Sequence, residues 1–377
     1  MGFTVAPTYL HRICKSKFGD SNHLVMKKKS KSSKQSPKEI NPNLKQAFQR
    51  HKKPQRSVAE YVDGLQSGDR MILAQAITLV ESNRPEQVAL AQDILKQLRS
   101  EQQNTFRIGI TGSPGVGKST FIEGLGMQLI AQGHKVAVLS IDPSSHITKG
   151  SILGDKTRMN DLSAHPNAFI RPSPSAGTLG GVSRNTRETI ELCEAAGYDR
   201  ILVETVGVGQ SETSVYYMTD FFLLLLLPGA GDDLQGIKRG IVEMADLLII
   251  NKADGDRAQL ALDSKKDYQS ALRLFPAKTT DWQPKVTTCS ALNGEGIAEI
   301  GQLLEQYRSQ PALLKSKRAT QSNYWLYEAI DNGLHSAFFK DKTIQDSLPE
   351  VEMAITKGEL SPFQAAEKLL ALFFSKG

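Results

Sequence analysis

Two hydrophobic periodicities divide this chain. Between residues 57 and 100 apolar positions recur at helical spacing, in three stripes: Val58, Tyr61, Val62 and Leu65; then Ile72, Leu73, Ala76, Ile77 and Val80; then Val88, Ala91, Ile94, Leu95 and Leu98. Such stripes predict three core-facing helices. Ser57 and Glu60 form a capping-box pattern at the first, and Pro85 suits the opening turn of the third. From about 105 to 306 the pattern changes to short apolar runs separated by helical stretches. Strands are expected at 107–111, 136–141, 168–171, 200–205, 221–227, 247–251 and 285–289, with a helix over 120–130. That alternation predicts an α/β fold with a doubly wound, mostly parallel sheet and helices on both faces. Beyond 307 the strand signal stops. Trp325, Leu326, Ala329, Ile330 and Leu334 lie at helical spacing, as do Phe363, Ala366, Leu369, Leu370 and Phe373. These C-terminal helices must bury their apolar faces either on the α/β body or between subunits. The expected organisation is therefore a leader over 1–56, a helical segment over 57–104, an α/β domain over 105–306 and a helical arm over 307–377.

Charge is distributed unevenly, and this removes one reading of it. The formal net charge is +6. Residues 1–56 hold fourteen Lys and Arg against Asp20 and Glu39, a net of +12, so the remainder carries −6. The basicity belongs to the leader and does not mark a nucleic-acid-binding body. The leader, with Lys27-Lys28-Lys29-Ser30-Lys31, reads as solvated, disordered chain. A mitochondrial transit peptide is the alternative, although such segments are Arg-rich and this one is Lys-rich. Cytoplasmic localisation is expected, with the mitochondrial matrix as alternative. The 3 cysteines, Cys14, Cys193 and Cys289, are far apart and make neither a disulfide framework nor a paired metal motif. The run from Phe221 to Leu227 is far shorter than the ~20 residues that span a bilayer. A strand buried on both faces explains it, and no membrane partner is expected.

The chemistry begins at Gly112-Ser113-Pro114-Gly115-Val116-Gly117-Lys118-Ser119. This matches G-x-x-x-x-G-K-[ST], set between an expected strand and an expected helix that starts by Thr120. Loop amides in that setting face phosphate oxygens, and the helix dipole favours the anion. Lys118 would reach the β- and γ-phosphates and the Ser119 hydroxyl would ligate magnesium. Asn251-Lys252-Ala253-Asp254 follows the apolar run 247–250 and is the pattern with which P-loop GTPases read guanine. The Asp254 carboxylate accepts from guanine N1–H and the exocyclic amine, donors that adenine lacks there, and an unpaired buried carboxylate is costly. Ser290-Ala291 fits the loop that offers a backbone amide to guanine O6.

The metal side is read from strand ends. Glu204-Thr205-Val206-Gly207 ends a strand; the carboxylate would bind magnesium through water, and the Gly207 amide would sense the γ-phosphate. Val208 stands where Ras-like proteins carry the water-positioning Gln, so slow intrinsic hydrolysis completed by a partner or another loop is implied, with Gln210 a possible substitute. Asp142, in Asp142-Pro143-Ser144-Ser145, and Asp155 on the next loop are candidate magnesium ligands; Asp142 can equally be a turn starter. The glycine-rich stretch from Gly229 to Lys238 is either a switch or a helix-initiating loop.

Together, Gly112 to Thr120, Asp142 to Ser145, Ser151 to Met159, Glu204 to Glu212, Gly231 to Lys238 and Asn251 to Asp254 resemble the MeaB/ArgK family, GTPase chaperones of methylmalonyl-CoA mutase. The resemblance covers roughly residues 57–377. It implies a homodimer built through C-terminal helices, and a GTPase that protects a cobalamin-dependent mutase and gates its cofactor loading. It implies GTP, GDP and Mg²⁺ as ligands. Lys118 and Ser119 are carried over as phosphate and magnesium contacts, Asp142, Asp155 and Glu204 as the metal surround, and Lys238 as the charged reporter of a mutase-responsive switch. The catalytic set is thus Lys118, Glu204, Gly207 and Lys238. Three other readings stand beside this one. They are a nickel-delivery GTPase, which would favour His- or Cys-rich tracts; a kinase linked to basic amino-acid transport, for which no acceptor-substrate motif is present; and a nucleotide-sensing scaffold.

Overall fold

The protein is described from a computed structural model, which covers residues 56–98, 105–142, 159–174, 179–205, 212–229, 239–275 and 282–375. The leader lies outside these residues. Three helices come first: α1 (Val58–Gln66), α2 (Arg70–Val80) and α3 (Pro85–Leu98). The α/β region follows as β1 (Phe106–Gly112), α4 (Lys118–Ala131), β2 (Val136–Asp142), α5 (Asn160–Ala164), β3 (Ala168–Pro174), α6 (Leu179–Ala195) and β4 (Arg200–Thr205). It continues with α7 (Glu212–Tyr216), β5 (Phe221–Leu226), α8 (Arg239–Met244), β6 (Leu247–Asn251), α9 (Ala258–Leu272), β7 (Lys285–Cys289) and α10 (Ile297–Arg308). The chain closes with α11 (Pro311–Lys340), α12 (Lys342–Thr356) and α13 (Pro362–Phe374).

Local chemistry sets the helix starts. The Ser57 backbone N–H donates to Glu60 Oε2 at 2.7 Å and the Glu60 N–H donates to Ser57 Oγ at 3.3 Å, a reciprocal capping box. Asp69 and Asp341 cap α2 and α12 through their carboxylates, and Ser361 with Gln364 forms a second box at α13.

The seven strands form one sheet in the order β3-β2-β4-β1-β5-β6-β7, and every neighbouring pair is parallel. Successive side chains of a strand point to opposite faces, so the apolar runs feed two cores. Ile201, Val203, Phe222, Leu224, Leu248 and Ile250 join α1, α2, α3 and α6 on one face. Ile108, Ile110, Leu202, Leu223, Leu225 and Ile249 join α4 and α10 on the other. The strand from 221 is wholly buried, as its unbroken apolar run predicts, and ends at Leu226.

A helix start and a whole helix differ from the sequence expectation for a physical reason. The helix after the phosphate loop opens at Lys118, because Gly117 at φ +97° turns the chain directly into it. Helix α12 has no counterpart in the expectation; Pro349 sits inside it, where a proline usually stops a helix. Tertiary packing holds it: Ile344 and Val351 bury against Ala365 and Leu369 of α13.

Helix α11 is fastened to the amino ends of the strands. Arg318 donates through Nε and Nη2 to the two oxygens of Asp220, each at 2.7 Å, and through Nη2 to the Thr105 carbonyl at 2.8 Å. Asp220 also accepts from the Arg107 N–H at 2.9 Å and is fully buried. One residue before β6, Asp246 accepts from Lys317 Nζ at 2.8 Å. Removing one partner of such a pair strands the other charge, which costs about 3 kcal/mol. Asp220→Ala is accordingly expected to lower unfolding free energy by that order, read as a reduced urea midpoint; an unchanged midpoint refutes the fastening role.

Candidate functional site

In a doubly wound sheet the ligand end lies beyond the carboxyl ends of the strands, where the order reverses. Here the chain crosses from β4 to β5 over central β1. The ends of β1, β2, β4, β6 and β7 bring together most of the residues singled out in the sequence.

The phosphate loop leaves β1 at Gly112. A Cβ there would meet the Leu225 carbonyl oxygen at 2.5 Å, so only glycine lets the loop rise this close to β5. Val116 is fully buried and anchors the loop, while Pro114 and Gly115 are exposed and Ser113, Gly117 and Ser119 half-buried. The buried Lys118 donates its ammonium to the carbonyls of Gly112 at 2.9 Å and Ser113 at 3.3 Å, so the cation is held within the loop it follows. Thr120 is exposed on the first turn of α4 and lines the neighbouring cleft.

Beside this loop β4 delivers Glu204. It is paired in register with Ile110 of β1 and Ser140 of β2, and its Oε2 accepts from Ser140 Oγ at 3.3 Å. Glu204 is buried. Thr205 Oγ1 donates to Thr111 Oγ1 at 2.8 Å and fixes β4 against β1 next to the loop. Asp142 is the last residue of β2, one strand away. Asp155, Gly207, Val208, Gln210 and Lys238 lie outside the described residues.

The base end is organised by Asn251. Its Nδ2 donates to the Val116 carbonyl at 2.8 Å and its Oδ1 accepts from the Ala291 N–H at 3.1 Å. One buried carboxamide thus joins the phosphate loop, β6 and the loop after β7. Lys252, the positive-φ non-glycine among the described residues, donates Nζ to the Gly115 carbonyl at 2.8 Å. Asp254 Oδ1 accepts from Ser290 Oγ at 2.8 Å, which aims the carboxylate, and the Ala253 N–H donates to the Cys289 carbonyl at 3.1 Å. Burial, then the Glu295 charge, pushes the Cys289 thiol up to about 12, so it stays neutral beside the base loop.

These groups border a cleft of about 410 Å³ lined by Gly117, Thr120, Asn251, Lys252, Asp254 and Ala291, together with Leu292 and Arg257. That volume lies in the range of small-molecule sites, ~300–1,000 Å³. The sequence reading missed Leu292 and Arg257. Leu292 directly follows Ser290-Ala291 and is 79% exposed, which makes it a candidate apolar platform for a planar base; its position after the motif was the available signal.

A family model described as Methylmalonyl Co-A mutase-associated GTPase MeaB matches residues 73–343. The chain belongs to the MeaB family. Among the relatives of this MeaB-family protein is a probable GTPase of Mycobacterium tuberculosis, 48% identical over 318 residues, covering 82% of this chain and 95% of that protein. The mitochondrial methylmalonic aciduria type A homolog of Mus musculus is 47% identical over 337 residues, covering 86% of this chain and 81% of that one. Among solved structures, a LAO/AO transport system kinase aligns with a TM-score of 0.67 at 40% identity, covering 84% of this chain and 97% of that chain. The fold is that of a P-loop GTPase, and the protein is a nucleotide-binding GTPase. No described helix is long and apolar enough to cross a membrane.

Because Asn251 bonds to two loops at once, its loss loosens both halves of the site. Two hydrogen bonds at about 1 kcal/mol each correspond to roughly thirtyfold in affinity. Asn251→Ala is expected to weaken GDP and GTP by that order and about equally, by isothermal titration. A loss confined to GTP would overturn this bridging role.

Proposed function

We propose that this MeaB-family GTPase is a chaperone of a cobalamin-dependent acyl-CoA mutase, methylmalonyl-CoA mutase in the first instance. In this reading it protects the mutase and gates its cofactor loading according to the nucleotide it holds. The observation that carries the proposal is the match over residues 73–343 to a family described by its association with that mutase. The name of the mouse relative points the same way.

The site chemistry supports guanine selection. Ser290 holds one Asp254 oxygen at the edge of the cleft, which suits a carboxylate that accepts from N1–H and the exocyclic amine. Lys118 shifts from loop carbonyls to β- and γ-phosphate oxygens when the triphosphate enters. A divalent cation fits this donor set. The Ser119 hydroxyl and the buried Glu204 carboxylate are hard oxygen donors on the phosphate loop and the neighbouring strand end, and β2 beside them ends at Asp142. Bound Mg²⁺ would neutralise charge on the phosphate oxygens. Ser119 would hold it directly, with Asp142, Asp155 and Glu204 around it, and Ser140 orients Glu204 for that role. The Gly207 amide would report the γ-phosphate, and Lys238 would carry the signal to the mutase.

The C-terminal helices are proposed as a homodimer arm. Leu326, Ile330 and Leu334 repeat at four-residue spacing on α11 and are all exposed, and Phe363 and Phe374 on α13 are exposed as well. Exposed apolar residues repeated along a helix in this way suit an association surface. The chain is proposed to act in the cytoplasm, with the mitochondrial matrix as the alternative. A second reading, a kinase serving basic amino-acid transport, is favoured by the name of the solved relative alone.

Stimulation by the mutase tests the first reading. Steady-state GTP hydrolysis is expected to rise when purified methylmalonyl-CoA mutase is added, and phosphate is expected to go to water. Unchanged hydrolysis with the mutase refutes the chaperone role, and label from γ-phosphate recovered on an amino-acid transporter component favours the kinase. Base selection has its own test. Asp254→Asn replaces an acceptor with a donor suited to the C2 carbonyl of xanthine, so this variant is expected to prefer xanthosine triphosphate over GTP; retained GTP preference sinks the assignment. Lys118→Ala is expected to abolish tight GTP binding, and unchanged affinity contradicts the phosphate-loop role.

A further inference from the structure

The sheet has a ligand end and an opposite end, and one short connection runs between them. β4 finishes at Thr205 on the ligand end, and β5 starts at Phe221 on the other. The chain between must travel the length of the sheet, and α7 lies on that path. It packs tightly over β1. A Cβ on Gly109 would stand 2.7 Å from Thr219 Oγ1, 2.8 Å from Phe222 and 2.9 Å from Val215, so glycine is what lets the connection lie this low. Glu212, Val215, Thr219 and Asp220 are all buried.

The far end of the connection is held by α11. A short helix leaves its last carbonyls without partners of its own, and here α11 supplies donors. Gln321 Nε2 donates to the Thr219 carbonyl at 2.8 Å and to the Tyr216 carbonyl at 3.3 Å. Trp325 Nε1 donates to the Tyr217 carbonyl at 2.8 Å. The Tyr324 ring stacks on Tyr217 with centroids 3.9 Å apart and planes 7° from parallel. Gln321 is 3% exposed, a buried amide among half-buried and exposed residues of α11. Two side chains of one helix therefore hold three backbone carbonyls within four residues at and just after the end of α7, and a third adds a ring contact. Upstream, α7 is joined through Val206 to Ser211 to the strand that carries Glu204.

We propose that Gln321 and Trp325 are positioning residues for GTP hydrolysis, acting through α7 on the segment that contains Gly207, and that α11 in turn registers which nucleotide is bound. The inference rests on the proposed role of Gly207 as γ-phosphate contact. Coupling between two sites is reciprocal for binding, so the same hydrogen bonds that set α7 for the nucleotide carry the nucleotide state to α11. No contact between α11 and the nucleotide is needed, because α7 is covalently continuous with the strand end on one side and hydrogen-bonded to α11 on the other.

The test uses the full chain and two conservative variants. Trp325→Phe keeps an aromatic ring and removes the N–H donor; Gln321→Leu keeps the volume and removes the amide. Each is expected to lower kcat for GTP about fivefold, within the range that residues along a coupling path reach, while GDP affinity stays as in the wild type; because each leaves carbonyls without their donor, the thermal midpoint falls by a few degrees at most. The chain has 2 tryptophans, and Trp325 is one of them. The emission of the wild-type protein is expected to differ between its complexes with GDP and with a non-hydrolysable GTP analogue, and this difference is expected to vanish in Trp325→Phe. Unchanged kcat in both variants overturns the proposal, as does a kcat loss that tracks a fall in GDP affinity. A nucleotide-dependent emission change that survives in Trp325→Phe overturns it too. Gly207→Ala, measured alongside, separates the two levels. Full activity there with slowed Gln321→Leu removes the Gly207 assignment and leaves the α11 grip standing, whereas the reverse removes the grip alone.

Discussion

The nucleotide end of this protein depends on one buried carboxamide. Asn251 turns its amide nitrogen and its oxygen to different loops, donating to the Val116 carbonyl on one side and accepting from the Ala291 N–H on the other. No other residue type of that size presents a donor and an acceptor in a fixed plane and remains neutral when buried. A carboxylate would repel the Val116 carbonyl, and an apolar side chain would leave both backbone groups unsatisfied. The separation between the phosphate loop and the base loop is therefore set by the width of an amide. Gly117 shows how tight that setting is: a Cβ there would lie 2.8 Å from Asn251 Nδ2.

Parallel strands make this convergence possible. With every pair parallel, all seven carboxyl ends face the same way, and the loops that follow them share one surface. Gly112, Glu204, Asn251 and Ser290 come from four different strands or the residues after them, yet hydrogen bonds of 2.8 to 3.3 Å link them through few intermediaries. Lys252 adds a second tie, from the base motif to the Gly115 carbonyl. The site is thus preorganised by contacts between its own loops and strand ends, some between side chains and some from a side chain to a backbone carbonyl, so the ligand meets walls already set in place.

Much of the architecture was legible in the sequence, and the exceptions have physical causes. Strands buried on both faces read as unbroken apolar runs, so 221–227 and 247–251 located themselves within a residue. Long helices such as α2 and α3 offer several turns of periodic signal. Helices α5, α7 and α8 span five or six residues, fewer than two turns, and cannot show a period. Helix α12 runs through Pro349 because α13 packs on it, a tertiary effect that local propensity does not contain. At the site, motif residues were readable because their spacing is tied to phosphate and base chemistry. Their ties to one another were not, since Lys252 and Gly115 or Asn251 and Val116 are joined only by folding. Leu292 and Arg257 border the cleft through side chains that no motif specifies.

The opposite end of the sheet is built on a different principle, and the contrast explains how α11 can serve two regions at once. There the bonds are between charges at the starts of strands: Arg318 with Asp220, Lys317 with Asp246. Both acids precede a strand by one residue and also accept from backbone amides, so each pins the helix to the sheet frame. These contacts use only the first half of α11. A 30-residue helix is about 45 Å long at 1.5 Å per residue, and its second half, from Leu326 to Phe339, carries exposed apolar residues. A helix is stiff along its axis, so whatever covers that second half is held in register with the first. The carbonyls of Tyr216, at the end of α7, and of Tyr217 and Thr219 just after it are bonded near the boundary between the halves, by Gln321 and Trp325. Any displacement of α7 is therefore applied at the base of a long lever whose free face is the apolar one.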